Sequence, residues 1–251
     1  MLFLGSFWLA ESMSRHGLDR RVATRLLAVP ALSRSPSTLI AGFGCVAAAI
    51  SAWVSNTATT AMLLPVGLGM LSALPESSRN PKLETRLLLM LAFSASVGGM
   101  ATPVGTPPNL IGMGMLDRLA GTKLSFLDWM KMGVPLSLLS LGFAAFLLCR
   151  GIETPAGWSR LREYLSQEGL NLKPWTRGEK NTLFALCCAV CLWLFAGDAV
   201  PEGVSALLAS SLLFLLPDGE GKPTLSWEAA CGIDWGVLLL FGGGMSLGGL
   251  L

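Results

Sequence analysis

Ser51-Ala52-Trp53-Val54-Ser55-Asn56-Thr57-Ala58-Thr59-Thr60 is polar, uncharged and rich in small residues, and it sits inside a charge-free run that extends from Ser35 to Pro75. A run of that length is read as membrane-embedded. Around it, the chain of 251 residues is 52% hydrophobic and 14% charged, with a mean hydropathy of +0.60. That apolar share exceeds the share in an ordinary soluble domain. Charges are also absent from Leu87 to Leu116, Met132 to Cys149, Asn181 to Gly197 and Trp235 to Leu251. The stretch from Gly203 to Pro217, with its flanks, reaches the ~20 residues that a spanning helix needs. The expected fold class is an all-α polytopic membrane protein, located in the cell inner (plasma) membrane as a multi-pass chain with the lipid bilayer as its partner.

The basic residues orient it. Arg15, Arg20, Arg21, Arg25 and Arg34 precede the first long run, and Arg79, Lys82 and Arg86 follow it. A third group runs from Arg150 to Lys180. The positive-inside rule puts all three on the cytoplasmic side, and the acidic turn from Asp198 to Gly203 on the other. Arg118, Lys123 and Lys131 fit that topology less well. A formal net charge of +2, carried by connecting segments, gives no reason to expect a nucleic-acid partner. Because the Ser35 to Pro75 run starts and ends on one side, it enters the bilayer and turns back. Two full spans or a re-entrant hairpin would both do this, and length does not choose. A polar tip in lipid is tolerated only where protein or a water-filled cavity satisfies its backbone, which favours the hairpin.

The next run carries a matching interruption. Leu87 to Ala101 reads as a helix, followed by Thr102-Pro103-Val104-Gly105-Thr106-Pro107-Pro108-Asn109 before the apolar pattern resumes at Leu110. Pro107 and Pro108 clash with a continuing helix, and Gly98, Gly99 and Gly105 lower helix propensity beside them. Thr106 followed by Pro107 reads as an N-cap and first-turn proline of a restarting half-helix. Ser55, Asn56 or Thr57 can cap the returning arm of the hairpin in the same way. Two half-helix N-termini then converge, each with unpaired N–H groups and about half a positive charge. Hydroxyl, carboxamide and freed carbonyl oxygens nearby are hard ligands for sodium, and broken helices of this kind hold substrate and coupling ion in transporters. Ser, Thr, Gly and Pro also serve as packing residues and kinks in membrane helices.

Ser51 to Met62 with Leu64-Pro65, and Gly98 to Asn109, resemble the divalent anion:sodium symporter family. The likeness extends from Leu2-Phe3-Leu4-Gly5, through Gly17-Leu18 and Arg21, to Trp235 to Gly244. It implies a partial inverted-repeat transporter with a re-entrant helical hairpin and a broken transmembrane helix, an elevator-type homodimer when intact. It places Ser51, Ser55, Asn56 and Gly105 at a sodium site, and Asn56, Thr57, Thr106 and Pro107 against the substrate. The implied function is secondary transport of small dianions coupled to sodium, with a C4-dicarboxylate favoured and sulfate, citrate or tartrate as alternatives. No enzyme activity, catalytic residue, cofactor or metal other than sodium is expected.

The family also carries a second Ser-Asn-Thr hairpin, which this sequence lacks. Leu2 to Ser6 resembles Leu240 to Gly244, an internal offset that puts the counterpart of Asn56 beyond Leu251. The chain is therefore expected to be a fragment, and a non-transporting membrane protein stays open as a reading. Residues 1–35 are expected to form a scaffold helix and an interfacial helix, in which Leu18, Val22, Leu26 and Leu27 oppose Arg20, Arg21 and Arg25. Residues 36–150 would belong to the transport domain, 151–180 to a solvated cytoplasmic connector, and 181–251 to scaffold spans and the start of a second repeat. Cys188 and Cys191 read as packing residues within an apolar run rather than a disulfide or metal pair. His16 reads as solvated, and Gly242 to Gly244 as a close-packing cluster. An intramembrane hydrolase would need an activated serine or paired aspartates, and neither motif is present.

Overall fold

The computed structural model describes residues 1–76, 80–195 and 200–248. Arg79 and Asp198, two of the residues that orient the chain, lie outside them. In chain order the helices are α1 (Leu2–Arg15), α2 (Leu18–Leu27), α3 (Pro36–Ser51), α4 (Asn56–Ser72), α5 (Pro81–Gly99), α6 (Pro107–Ala120), α7 (Phe126–Cys149), α8 (Trp158–Leu170), α9 (Arg177–Phe195), α10 (Glu202–Leu215), α11 (Trp227–Cys231) and α12 (Trp235–Gly248). Among the described residues there is no strand, only an isolated bridge between Pro217 and Pro223. α7 and α9 are long and apolar enough to cross a membrane, while α3 and α10 are apolar but shorter.

Local chemistry sets the boundaries around the two expected irregularities. Ser35 opens α3 with a capping box: its Oγ accepts from Thr38 N, its own N–H donates to Thr38 Oγ1, and Pro36 takes the first helical position. Ser55 caps α4 by accepting from Ala58 N at 3.2 Å. Asn80 caps α5 by accepting from Lys82 N at 2.9 Å, again ahead of a first-turn proline. The charge-free run from Leu87 to Leu116 is divided between α5 and α6, which starts on Pro107 and ends at Gly121. Gly121 adopts a left-handed φ of +62° that terminates the helix at little cost.

The chain forms two compact units. The first comprises residues 1–18, 102–133 and 175–251, and the second comprises residues 19–101 and 134–174. Each crossing between them lies beside a helix breaker, namely Gly17, Pro103, Pro135 or Pro174. In the first unit α1 packs chiefly on α10 and then α9. Gly5 allows that approach, because a Cβ there would stand 2.5 Å from the Ala206 carbonyl carbon. Ser12 and Thr182 share a buried hydrogen bond of 2.7 Å, and Phe126 stacks on Trp193 with ring centroids 4.7 Å apart. His16, expected to be solvated, is half-buried and bonded through Nε2 to the Thr224 carbonyl at 2.7 Å. It fastens the end of α1 to the loop before α11. Gly242 and Gly243 have open space where a Cβ would stand, so in this chain they do not form the close contact expected of them.

In the second unit α3 and α4 both lean on α5, α3 most extensively. The 151–180 segment contains α8, whose Trp158, Leu161 and Leu165 are buried, while Arg160 and Arg162 are exposed. The expectation of a fully solvated connector therefore fails on one face of that helix. Trp158 Nε1–H donates to the Ser33 carbonyl at 2.9 Å in a buried setting. Trp158→Phe keeps the ring but strands that carbonyl, and should lower stability by about 1–3 kcal/mol. An unchanged midpoint of thermal unfolding in detergent would count against this. On α2 the apolar stripe is split. Leu18 and Leu27 pack inward with Asp19 and Arg21, whereas Val22 and Leu26 are exposed beside Arg20 and Arg25.

Candidate functional site

The turn between α3 and α4 lies in the second unit, is polar and carries no formal charge. Ser51 ends α3, residues 52–55 make the turn, and Asn56 begins α4. Ser51 is fully buried. Its Oγ lies 2.6 Å from the Ala95 carbonyl oxygen on α5 and 2.8 Å from Asn56 Oδ1. A hydroxyl has one proton to donate, so it satisfies one of these acceptors. The other contact is met by turning the carboxamide so that Nδ2 donates to Oγ, or by a cation held among the oxygens, as hard ligands do. Ser51 and Asn56 are thus in contact through hydroxyl and carboxamide, and Ser55 is the cap of α4.

The same turn exposes backbone donors. Ser55 Oγ takes the Ala58 amide, and Ser55 O takes the Thr59 amide at 2.9 Å. Among the described residues no acceptor takes the amide hydrogens of Asn56 and Thr57. Asn56 is half-buried and Thr57 exposed, so an anion can approach two N–H groups at the positive end of α4.

Two features of this cluster were missed by sequence reasoning. Gly99 lies directly against the Asn56 carboxamide, and any Cβ at that position would strike Oδ1. Gly98 lies equally close to the Ala48 backbone, and Gly44 to Met90 and Ser94, so glycines form the seam between α3 and α5. The signal was available in the Gly98-Gly99 pair, since glycine inside a helix often marks a close backbone approach. The second feature is a pair of hydroxyls. Thr59 Oγ1, one turn into α4 from Asn56, and Ser94 Oγ, adjacent to Ala95, are fully buried without a hydrogen-bond partner. Each costs about 1–3 kcal/mol, and such unmet demand is unusual enough to mark the region.

The break after α5 belongs to the first unit and folds on itself. Gly105 N donates to Thr102 Oγ1 at 3.1 Å, and Asn109 Nδ2 donates to the Thr102 carbonyl at 2.7 Å. Thr102, Pro103, Val104, Gly105 and Asn109 are buried. Thr106 is the N-cap of α6, half-buried, and its side chain makes no capping bond. The expectation of unpaired N–H groups here needs correction. Pro107 and Pro108 occupy the first two helical positions and have no amide hydrogen, and Asn109 N already donates to Thr106 O at 3.2 Å. α6 therefore presents a dipole and a hydroxyl that makes no capping bond. Neither Ser51 to Thr60 nor Gly98 to Asn109 contains a titratable side chain, so acid–base chemistry has no agent in either segment.

The model of the citrate transporter family matches residues 1–251. The sodium-dependent dicarboxylate transporter SdcS of Staphylococcus saprophyticus is 33% identical over 98% of this chain and 51% of its own length. The protein of that name from Staphylococcus aureus is 31% identical over the same shares. The chain thus spans about half the length of the curated relatives it matches.

Proposed function

Because the chain belongs to the citrate transporter family, we propose that the intact protein carries a small dianion across the membrane together with sodium, a C4-dicarboxylate being the favoured substrate. It is a multi-pass integral protein of the plasma membrane, and its family is one of transporters rather than enzymes. The observation that carries the proposal is the Ser51–Asn56–Ala95 oxygen cluster at the uncapped amides of α4. Oxygens that share too few protons suit a monovalent cation, and amides without acceptors suit an anionic group beside it. Sodium and the helix dipole together offset the charge of a dianion, so no arginine is required.

Ser51, Ser55, Asn56 and Gly105 are the proposed sodium ligands. Asn56 and Thr57 contact the substrate through amides and carboxamide, Thr106 through its unbonded hydroxyl, and Pro107 by packing. In this reading α3, the turn and α4 are a re-entrant hairpin, and α5 and α6 are the two halves of one broken membrane helix. Residues 36–150 move with the substrate against a scaffold that includes residues 1–35 and 181–251, in a homodimer of inverted-repeat subunits working as an elevator.

Citrate is the second reading, favoured by the family's description. Competition decides between them. With the intact protein in proteoliposomes under an inward sodium gradient, excess unlabelled succinate should suppress uptake of radiolabelled succinate to background, and sulfate should not. Suppression by sulfate alone overturns the C4-dicarboxylate assignment. Suppression by citrate at lower concentration than succinate transfers it to citrate. Uptake unchanged by removal of sodium removes the coupling ion from the proposal.

A further inference from the structure

A cleft of about 80 Å³ opens in the second unit between α2, α4 and α8, lined by Arg20, Leu27, Pro65, Met70, Tyr164 and Glu168 among others. It has room for roughly five to eight waters, which is the size of a phosphoethanolamine group. Leu27, Pro65, Val66, Met70 and Leu165 supply its apolar lining, and Arg20, Tyr164 and Glu168 are polar groups on the same cleft. Arg20 and Glu168 both act electrostatically on the Tyr164 phenol, yet they form no ion pair with each other, and the phenol oxygen has no hydrogen-bond partner among the described residues. Tyr164 reaches the cleft by lying over Gly69, where a Cβ would stand 3.0 Å from its hydroxyl. Burial, and then Glu168, push the phenol above its ordinary range, with Arg20 opposing, so it remains a donor at neutral pH. Opposite charges that line one small cleft without pairing match a zwitterion rather than an anion or a cation alone.

Its place in the chain points to a lipid. α4 has no charged residue, and the cleft lies in its last two turns, just before the charges resume at Glu76 and Lys82. α2 and α8 are amphipathic and rich in charge, as helices at the membrane surface are.

We propose that this cleft binds the headgroup of an ethanolamine phospholipid, its phosphate on Arg20 and Tyr164 and its primary ammonium on Glu168. A carboxylate accepts hydrogen bonds from an ammonium N–H, and the trimethylammonium of choline has none to give. Phosphatidylglycerol would bring an anionic phosphate with no cation for Glu168.

The test is lipid retention by the intact protein. After equilibration in nanodiscs with equal amounts of ethanolamine, choline and glycerol phospholipids, bound lipid is counted by native mass spectrometry. Ethanolamine lipid should exceed choline lipid by about tenfold, the factor one charge-assisted hydrogen bond provides. Glu168→Gln, at an exposed position that should not disturb folding, should bring that ratio to near one. Arg20→Gln should reduce retention of every phospholipid in this cleft. Equal retention of the three lipids, preference for phosphatidylglycerol, or an unchanged ratio in Glu168→Gln overturns the proposal. Displacement of the lipid by millimolar soluble phosphoethanolamine would assign the cleft to a soluble ligand and overturn it as well.

Discussion

Replacing Asn56 by alanine in the intact protein should abolish sodium-driven dicarboxylate uptake while membrane insertion stays normal. The side chain sits where three functions overlap. It contacts the Ser51 hydroxyl at 2.8 Å, it opens α4 beside an amide without an acceptor, and it is the part of the tip that Gly99 abuts. Alanine removes both amide atoms without adding volume, so α4 keeps its Ser55 cap and its packing. One hydrogen bond to a charged group is worth about 1.5–3 kcal/mol, roughly ten- to hundredfold in binding. Asn56 is proposed to serve sodium and substrate at once, so the losses compound and uptake falls to background. Wild-type rates in proteoliposomes from a correctly inserted Asn56→Ala protein would refute the site.

The second large effect is expected at Gly99, and its neighbour supplies the control. A methyl group at Gly99 meets the Asn56 carboxamide, the movable end of a side chain. Gly99→Ala should therefore fold, displace Asn56 from Ser51, and cut uptake by roughly tenfold or more, as loss of one charge-assisted contact would, with a raised sodium requirement. A methyl at Gly98 meets the Ala48 backbone, which has nowhere to go. Gly98→Ala should instead destabilise the protein by about 1–3 kcal/mol through overpacking, seen as a lower thermal midpoint in detergent. The pair of adjacent glycines thus separates a functional contact from a structural one. If Gly99→Ala transports like wild type, the Asn56 carboxamide does not need to be held where it is.

Much of this was legible before any coordinates. The turn at 52–55 follows from a polar stretch inside a charge-free run, flanked by Ser35-Pro36 and Ser55, whose capping roles are local. The start of α6 at Pro107 follows from proline's missing hydrogen and its steric clash. What could not be read was tertiary. Ala95 reaches Ser51 from another helix, and nothing in either residue's neighbourhood announces the other. The buried face of α8 was written in Trp158, Leu161 and Leu165, spaced one and two turns apart, but Arg160, Arg162, Glu163 and Glu168 on the remaining faces make the average polar and mask it. The donor deficit at α6 is written in Pro107-Pro108, which departs from the usual richness of a helix N-terminus in N–H groups. Nothing local to His16 announces its partner, because the Thr224 carbonyl is far away in sequence.

The glycine seam between α3 and α5 has a mechanical corollary. With no side chain between Gly98 and the Ala48 backbone, and Gly44 seated on Met90 and Ser94, neither helix can slide along the other without colliding at every ridge. Close approach at these points ties the two helices to each other, and the segments that leave them nearest the Ser51–Asn56 pair are the turn at 52–55 and the residues that follow Gly99.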